Sequence, residues 1–333
     1  MLELAELDKI LAPDSSDDEI LAALQNLEIQ NLNRDVLAHS LRRLRGAAAL
    51  SEDLARELHE LGPISIDCSG TGGSGLSHFN TSTCVAFVLA AAGYKVAKFG
   101  GRAASGNSGS FDFLEGLGIS SALPPQDIAD ALSVCGLAFI FAPEIYPVLK
   151  RLMPLRKRHG KPTLFNYIGP LLNPVRPANR LMGISSDHAR KLIGEELVSD
   201  EKTNSALLVT AGGILDELDV NGPSSLTYVD GQLVHEFELD PEALSLLEKN
   251  SQSGRIAAFD TATNVEIFKD IIEGHDSKSD CYKMILLNSA AALFVLKACR
   301  SISEGLAIAA DLISNGELAE RVETCRRFYG KLS

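Results

Sequence analysis

The sequence predicts an α/β protein in which a small helical region precedes a larger region with a mostly parallel sheet flanked by helices. Residues 1–62 carry helical apolar stripes, beginning after a capping box of Ser16 and Glu19. After Ile64, short apolar segments alternate with helical ones; we predict strands at Ile66 and at residues 95–98, 137–142, 163–165, 206–210 and 226–229. This alternation is typical of parallel sheets with helical crossovers.

Two domains follow from this pattern. Residues 1–62 form the helical domain, which we expect helices near residues 144–190 to complete, and residues 63–333 form the α/β domain. Pro170, Pro174 and Pro177 stiffen the connection between the two. Residues 263–329 are predicted to be helical again.

Composition limits the class of protein. The chain has 333 residues, a hydrophobic content of 45% and no apolar run long enough to span a bilayer. Its N-terminus lacks the features of a signal peptide, and its six scattered cysteines form no metal-binding pattern, so we expect a cytoplasmic protein with reduced cysteines. A net charge of −13 disfavours nonspecific binding of nucleic acid.

The most informative segment is DCSGTGGSGLSHFNTST, residues 67–83, a glycine-rich turn between a strand and a predicted helix at 84–92. Its glycines allow positive φ and close approach of the backbone to an anion, and the polar residues that follow offer hydroxyls and free amides at the start of a helix. A turn without a ligand would look similar. The candidate phosphate-binding residues here are Gly70, Thr71, Gly72, Gly73, Ser74, His78, Asn80, Thr81, Ser82 and Thr83.

A second loop, residues 96–110, has the same character. Lys98 and Arg102 can neutralise anionic oxygens, and Ser105, Gly106 and Ser110 supply hydroxyls and amides before a predicted helix at 111–117. Ligands of open α/β sheets bind beyond the carboxyl ends of the strands, so we expect both loops to line one crevice.

Two further groups of charges complete a possible site. Residues 151–161 form a basic island, of which most members are expected to be solvated, and Arg156 is our candidate to hold a substrate carboxylate. Asp216 and Glu217 follow the strand at 206–210, and in a phosphate crevice they become plausible ligands of Mg²⁺. We interpret Asn288, predicted to open a helix at 289–298, as a packing or capping residue.

The motifs GTGG, NTST, VAKxGxR, FAPE, MPLRK, TLFNxxGPLxNP, GGxxDE and NSAAAL occur in this order. In this respect the chain resembles the anthranilate phosphoribosyltransferase family over roughly residues 36–329. The resemblance implies a homodimer formed through the helical domain and a fold shared with pyrimidine nucleoside phosphorylases. It also implies Mg²⁺-dependent transfer of phosphoribosyl from phosphoribosyl pyrophosphate to anthranilate, a step of tryptophan biosynthesis.

By the same resemblance, the glycine-rich loop, the residues after it, Lys98, Ser105, Gly106 and Ser110 hold the donor. Ser82, Asp216 and Glu217 bind the metal ion, and Gly70, Gly101, Tyr146 and Arg156 face the acceptor. No residue is assigned as an acid or base, because an aromatic amine is already neutral at physiological pH.

Some positions depart from the family pattern. Ser74 replaces the usual acid after GTGG, His78 replaces a smaller hydroxyl residue, Phe99 and Gly101 replace histidine and asparagine, and Tyr146 stands where histidine is common. These changes leave three alternatives open: transfer to another aromatic or heterocyclic amine, phosphorolysis of a nucleoside, and a noncatalytic relative that binds nucleic acid.

Overall fold

The computed structural model describes residues 2–49, 52–72, 79–101, 109–119, 123–244 and 260–331. Among these, helices form the N-terminal region and flank one sheet. In chain order the helices are α1 (Leu2–Leu11), α2 (Asp17–Asn26), α3 (Arg34–Arg45), α4 (Glu52–Glu60), α5 (Thr81–Ala91), α6 (Ser110–Gly116), α7 (Ile128–Val134), α8 (Ala142–Ile145), α9 (Pro147–His159), α10 (Leu164–Tyr167), α11 (Asp187–Ser199), α12 (Thr261–Ile272), α13 (Asp280–Val295), α14 (Ile302–Ser314) and α15 (Glu317–Tyr329). Short 3₁₀ turns lie at Ile29–Asn31, Pro125–Asp127, Gly169–Leu172 and Pro241–Ala243.

Within the described residues the sheet has seven strands in the order β3-β2-β1-β4-β5-β6-β7. They are β1 (Ile66–Gly70), β2 (Val96–Gly100), β3 (Leu137–Phe141), β4 (Asn179–Gly183), β5 (Ser205–Ala211), β6 (Ser224–Asp230) and β7 (Leu233–Leu239). The first five strands of that order are parallel, and β6 and β7 continue the sheet as antiparallel strands. The predicted fold class, with a mostly parallel sheet, is therefore confirmed.

The strand order reverses direction between β1 and β4, which makes their carboxyl ends the expected position of a ligand crevice. β1 pairs with β4 along its whole length, from Ile66 to Gly70. In contrast, the register between β1 and β2, both fully described, consists of a single pair, Ile66 with Val96. Beyond this pair, β1 and β2 continue towards their loops without regular β-sheet pairing between their backbones.

Two buried helices support this part of the sheet. In α5 every residue from Cys84 to Ala90 is buried, and α13 is buried along most of its length. Small residues let α13 approach its neighbours closely: a Cβ added at Gly305 of α14 would lie 2.8 Å from the Ala290 carbonyl oxygen. The hydrophobic core therefore surrounds the elements that carry the loops.

The N-terminal helices are fastened to residues far along the chain. The capping box of Ser16 and Glu19 is confirmed at the start of α2. Arg151 of α9 donates hydrogen bonds to the carbonyl oxygens of Ala12, at 2.8 Å, and of Ser15. The Leu164 amide donates to the Leu27 carbonyl at 2.8 Å. These contacts close the helical region around α9 and α10.

Several local predictions were wrong. Residues 163–165 form no strand, because Thr163 caps the short helix α10 and its backbone amide donates to Asn166 Oδ1 at 3.0 Å. Asn288 lies in the middle of α13, which begins at Asp280 and not near residue 289. Strands β4 and β7 were not predicted. In the described parts of the chain we find no helix with the length and apolarity that a membrane crossing requires.

Candidate active site

The glycine-rich loop, in which we predict phosphate binding, begins where β1 ends, and its first residues are bonded to β4 and to Ser185 beyond it. The Thr71 amide donates to the Gly183 carbonyl at 2.9 Å, and the Ser185 amide donates to Thr71 Oγ1 at 3.1 Å. Gly72, at φ +63°, has its carbonyl oxygen bonded by Ser185 Oγ at 2.7 Å, and its amide donates to Asp216 Oδ2 at 2.7 Å. An acidic side chain thus already contacts one of the amides that we predicted to face an anion.

Helix α5 begins three residues earlier than predicted: Asn80 is its N-cap residue, and Thr81, Ser82 and Thr83 form its first turn. The side chains of Thr81 and Thr83 are buried. The Thr81 hydroxyl lies at the Glu217 carboxyl group, whose pKa it lowers, and the Thr83 hydroxyl oxygen has no hydrogen-bond partner among the described residues. Asn80 Oδ1 accepts a hydrogen bond from Asn264 Nδ2 of α12 at 2.9 Å. This contact fixes the start of α5 beside the loop.

Lys98 connects the two strands and this helix. Its ammonium group donates to the Cys68 carbonyl of β1 at 2.8 Å and to Ser82 Oγ of α5 at 3.0 Å. Burial lowers the pKa of Lys98, and the nearby Asp67 carboxylate opposes this effect. A buried cation at this position favours binding of an anion next to it.

Asp216 and Glu217 reach the same place from the turn after β5. This turn lies against two glycines that face each other in the register of β1 and β4, Gly70 and Gly183. A Cβ at Gly183 would lie 1.5 Å from the Asp216 carbonyl oxygen, and one at Gly70 would lie 2.3 Å from Asp216 Oδ2. The absence of side chains at these two positions is what admits the acidic turn to the crevice.

Asn288 holds this turn from the opposite side. Its side-chain amide exchanges two hydrogen bonds with the Leu218 backbone, both at 3.1 Å, and Nδ2 also donates to the Met284 carbonyl at 2.9 Å. Asn288 is therefore more than a helix cap, because it positions the residue that follows Glu217. The sequence offered one signal for this role, namely a polar side chain inside the otherwise apolar NSAAAL segment.

The acidic turn provides a suitable environment for a cation. Burial, and then the adjacent Asp216 carboxylate, raise the pKa of Glu217 to about 8, against smaller opposing effects of Thr81 and Lys98. Glu217 Oε2 is buried and has no hydrogen-bond partner among the described residues. A cavity of about 20 Å³, enough for roughly one water molecule, is bounded by Ser82, Asp216, Glu217 and Asn288, among others.

These donors fit a hard cation that keeps water and substrate oxygens in its shell. In the described ranges no three His, Cys, Asp or Glu side chains come together as a metal-binding group. A divalent ion here would therefore have two carboxylates and a hydroxyl from the chain, which matches the preference of Mg²⁺ for phosphate ligands over a full protein cage.

Two residues that sequence reasoning missed join these elements. Ser185 binds Thr71 and Gly72 at the start of the loop, as described above. Asn173, which follows the Gly169–Leu172 turn, has its side chain between β1 and β2, where Nδ2 donates to Asp67 Oδ2 at 2.9 Å and to the Ala97 carbonyl at 2.8 Å. Asn173 belongs to the motif TLFNxxGPLxNP, which was the available signal.

On the predicted acceptor side, the structure places aromatic rings together. Phe99 and Tyr146 are both almost fully buried and pack edge to face with ring centroids 6.0 Å apart. The Tyr146 hydroxyl donates to the Leu172 carbonyl at 2.7 Å, and burial raises its pKa to about 12. Gly101 follows β2, and a Cβ there would meet no atom within 4 Å among the described residues.

The cations of the basic island differ in their partners and in their burial. Arg151 binds the N-terminal segment, as described above, and Lys161 pairs with Glu28 Oε1 at 3.1 Å. Arg156 is half-buried and has no hydrogen-bond or ion-pair partner in the described part of the chain, and burial lowers its pKa. Of the three, Arg156 is the guanidinium or ammonium group left to bind an external anion.

The second loop is described only at its ends. Ser110 is the first residue of α6, and the Gly109 amide before it donates to Asp112 Oδ2 at 3.0 Å. The predicted residues Gly73, Ser74, His78, Arg102, Ser105 and Gly106 lie outside the described residues.

Comparison with known proteins places these features in a class. Residues 62–319 match the model of the glycosyl transferase family, a/b domain. An anthranilate phosphoribosyltransferase from Synechococcus sp. (strain RCC307) is 38% identical over 266 residues, which cover 78% of this chain and 74% of that protein. The crystal structure of the Thermus thermophilus anthranilate phosphoribosyltransferase aligns with a TM-score of 0.83 at 26% identity, covering 99% of this chain and 94% of the other.

The protein is therefore a glycosyltransferase that carries this α/β domain, since the match spans most of the chain. Within that class it belongs to the anthranilate phosphoribosyltransferase family. The Saccharomyces cerevisiae anthranilate phosphoribosyltransferase in complex with PRPP and Mg shares the fold, with a TM-score of 0.81 at 22% identity and coverage of 99% of this chain and 92% of the other.

Proposed function

We propose that this protein transfers the phosphoribosyl group of phosphoribosyl pyrophosphate to anthranilate and releases pyrophosphate, with Mg²⁺ as cofactor, in tryptophan biosynthesis. The observation that carries this proposal is the meeting of a buried cation and a carboxyl pair at one crevice. The ammonium group of Lys98 and the carboxyl groups of Asp216 and Glu217 come together at the carboxyl ends of β1 and β4, where the acidic turn is bound to the glycine-rich loop through the Gly72 amide. A pyrophosphate with a divalent cation requires both kinds of charge.

The donor site is proposed to consist of the loop from Gly70 to Ser74 with His78, the first turn of α5 from Asn80 to Thr83, and Lys98, Ser105, Gly106 and Ser110. The buried hydroxyl of Thr83, which lacks a partner among the described residues, supports this assignment, because a buried polar atom is stabilised by a hydrogen bond. Lys98 supports it as well, since its buried charge has only neutral hydrogen-bond acceptors within the described contacts.

Ser82, Asp216 and Glu217 are proposed to hold Mg²⁺. When bound, this ion would offset the negative charge that develops on the departing pyrophosphate. The buried Glu217 Oε2 without a described partner is the feature that fits a cation. Ser82 Oγ accepts from Lys98 through one of its two lone pairs, which leaves the other free.

The chain acts mainly by positioning and by neutralising charge. Lys98 and the loop amides stabilise the pyrophosphate oxygens as the bond to the anomeric carbon of ribose breaks. The amine of the acceptor attacks that carbon, and fixing its orientation lowers the entropic part of the barrier. A strong general base is unnecessary because the attacking aromatic amine is neutral.

The acceptor is proposed to lie among Gly70, Gly101, Tyr146 and Arg156. Arg156 can bind the carboxylate of anthranilate with two parallel hydrogen bonds, as guanidinium groups do in partly buried sites. Tyr146 contributes its ring rather than its hydroxyl, because the hydroxyl is already bonded to Leu172.

One observation favours a second candidate, transfer to another aromatic amine. The buried pair of Phe99 and Tyr146 puts apolar rings at positions where the family commonly has histidines, so the polar groups of those histidines are absent here. Rings of this kind favour an acceptor with a larger apolar surface and fewer polar substituents than anthranilate.

We further propose a homodimer formed through the helical domain, a cytoplasmic location, and division of the chain near residue 62. The hydrogen bonds between α9 and the segment after α1 support the grouping of residues 144–190 with the N-terminal helices.

The test is an assay with purified protein, phosphoribosyl pyrophosphate, Mg²⁺ and anthranilate. Loss of anthranilate fluorescence with stoichiometric release of pyrophosphate, abolished by a chelator, would support the proposal. Donor binding in calorimetry without turnover would favour the second candidate, and a screen of aromatic amines would then identify the acceptor. Absence of donor binding would refute both.

A further inference from the structure

The region between β1 and β2 differs from the rest of the parallel sheet. After the pair Ile66 and Val96, the two strands have no further register, although both continue for four more residues towards the crevice. The neighbouring pairs β1–β4 and β2–β3 each keep five residues in register. Something other than the backbone ladder must therefore fix the distance between the ends of β1 and β2.

In the described part of the chain, side chains take this place, and Asn173 and Lys98 are two of them. Asn173 spans the strands next to the last regular pair, with one amide hydrogen to Asp67 Oδ2 of β1 and the other to the Ala97 carbonyl of β2. One residue further along both strands, Lys98 donates to the Cys68 carbonyl. The two contacts are consecutive, so the position of Lys98 depends on the spacing that Asn173 sets.

Asn173 is itself rigidly held. Its side chain is only 2% exposed, and its Oδ1 accepts a hydrogen bond from the Val175 amide at 3.2 Å. The two residues before it are fixed through their carbonyl oxygens, Leu171 by Arg45 at 3.1 Å and Leu172 by Tyr146 at 2.7 Å. The segment that carries Asn173 is thus anchored independently of the strands that Asn173 joins.

We propose that Asn173 is a positioning residue for the transfer reaction: by replacing the backbone ladder between β1 and β2, it places Lys98 and the glycine-rich loop at the distance that the donor pyrophosphate requires. This inference rests on the proposed function, and it assigns to Asn173 a role in donor binding and turnover rather than in acceptor recognition.

The structure provides a matched control. Asn179, at the first position of β4, donates to the Ser65 carbonyl at 2.7 Å and also ties β4 to the chain before β1. This contact lies at the amino ends of the strands, away from the crevice. Removing either side chain costs a cross-strand hydrogen bond, but only Asn173 lies next to Lys98.

The experiment compares Asn173→Ala and the milder Asn173→Ser with Asn179→Ala. Serine has one hydroxyl hydrogen and can serve one of the two acceptors, so this variant provides a folded sample if alanine destabilises too far. Kinetics are measured below the Tm of every variant, with the donor and anthranilate varied separately, and binding of phosphoribosyl pyrophosphate is measured by calorimetry.

We expect Asn173→Ala to lower kcat/KM for the donor roughly 100-fold, since a displacement near 1 Å has effects of that size. Asn173→Ser should lower kcat/KM for the donor about tenfold, because the displacement is only partial when one of the two contacts is kept. The KM for anthranilate should change less than twofold, and Asn179→Ala should lower Tm without a comparable kinetic effect. The variants Asp67→Ala and Asn173→Ala should also be non-additive in kcat/KM, because they break the same contact.

A folded Asn173→Ala with wild-type donor kinetics would overturn the inference, as would an equal loss in Asn179→Ala, which would indicate general weakening of the sheet. If the wild type binds the donor without converting anthranilate, the proposed function fails and the donor Kd becomes the readout: a rise in Asn173→Ala supports the inference and an unchanged value overturns it. A wild type that neither binds nor turns over the donor overturns both.

Discussion

Gly183 lies against the backbone of the turn that carries the two carboxylates, with no room for a side chain. This contact leads to a quantitative prediction for Gly183→Ala. The new methyl carbon would lie 1.5 Å from the Asp216 carbonyl oxygen and 2.2 Å from the carbonyl carbon. Real Cβ atoms essentially never approach a heavy atom closer than 3.0 Å, so the turn must move by about 1.5 Å. The contacted atoms are backbone and cannot rotate away.

A shift of this size affects both stability and catalysis. Overpacking of this kind costs about 1–3 kcal/mol of folding free energy, which lowers Tm by several degrees. Misplacement of catalytic groups by about 1 Å reduces rates roughly 100-fold, so we expect kcat to fall at least that far. Gly70→Ala should have a smaller effect, since its methyl group meets the Asp216 carboxylate, which can rotate.

The assay is Mg²⁺-dependent turnover, measured together with thermal unfolding. Gly194→Ala is the control, because its methyl group would lie 2.9 Å from Thr227 Cγ2, between α11 and β6 and outside the crevice. The crowding should lower the Tm of this variant. Its kcat should stay within about twofold of the wild-type value, as expected for a change that moves no catalytic group. A folded Gly183→Ala with kcat within threefold of the wild type would refute the argument that this glycine admits the acidic turn.

Three further predictions concern the charged groups. Asp216→Ala combined with Glu217→Ala should abolish Mg²⁺-dependent turnover while circular dichroism shows an intact fold, and unchanged activity would contradict the metal assignment. Arg156→Ala should raise the KM for anthranilate by about 10- to 100-fold, because a hydrogen bond to a charged group is worth that much. Donor binding measured by calorimetry should stay nearly unchanged. Equal losses for both substrates would contradict the role of Arg156 in acceptor binding. Burial raises the pKa of Asp67 from 3.8 to about 6, against opposing effects of Asn173, Lys98 and Arg180. The protonated carboxyl therefore stabilises the folded state fully below about pH 4, and this contribution, roughly 3 kcal/mol, is lost as the pH rises towards 6. Asp67→Asn should make the free energy of unfolding depend less on pH between about pH 4 and pH 6. An unchanged pH dependence would argue against the raised pKa of Asp67.

The sequence predicted the parts of the fold that have strong local signals. The strands that became β2, β3, β5 and β6 are short, apolar and bounded by turn residues, so their hydrophobic pattern was sufficient. β4 was missed because NRLMG contains Arg180, a charged residue that the fold buries almost completely, and burial of an arginine has no local signature. β7 was missed for the opposite reason, since its side chains are mostly exposed and its pairing with β6 is provided by the backbone.

In the candidate site too, residues with a local sequence signal could be predicted and residues that depend on distant partners could not. Gly72, Ser82, Lys98, Asp216 and Glu217 could be named as candidates because their motifs indicate their chemistry locally, and the structure brings them close together. The roles of Asn173 and Asn288 could not, since each depends on a partner about 70 or more residues away, respectively Asp67 and Leu218. Capping preference explains why residues 163–165 were misread: the threonine and phenylalanine favour a strand, but Asn166 stabilises a helical turn once the amide of Thr163 can reach it.

The fastening of the N-terminal helices to distant residues has a consequence for biosynthesis. Arg151 binds the Ala12 carbonyl across 139 positions, and Arg45 binds the Leu171 carbonyl across 126. At ordinary elongation rates the ribosome needs on the order of ten seconds to supply these partners. During that interval α2 lacks α9 and α3 lacks α11, the helices against which they finally pack, so part of their apolar surface stays exposed on the nascent chain and available to chaperones until α11 has emerged.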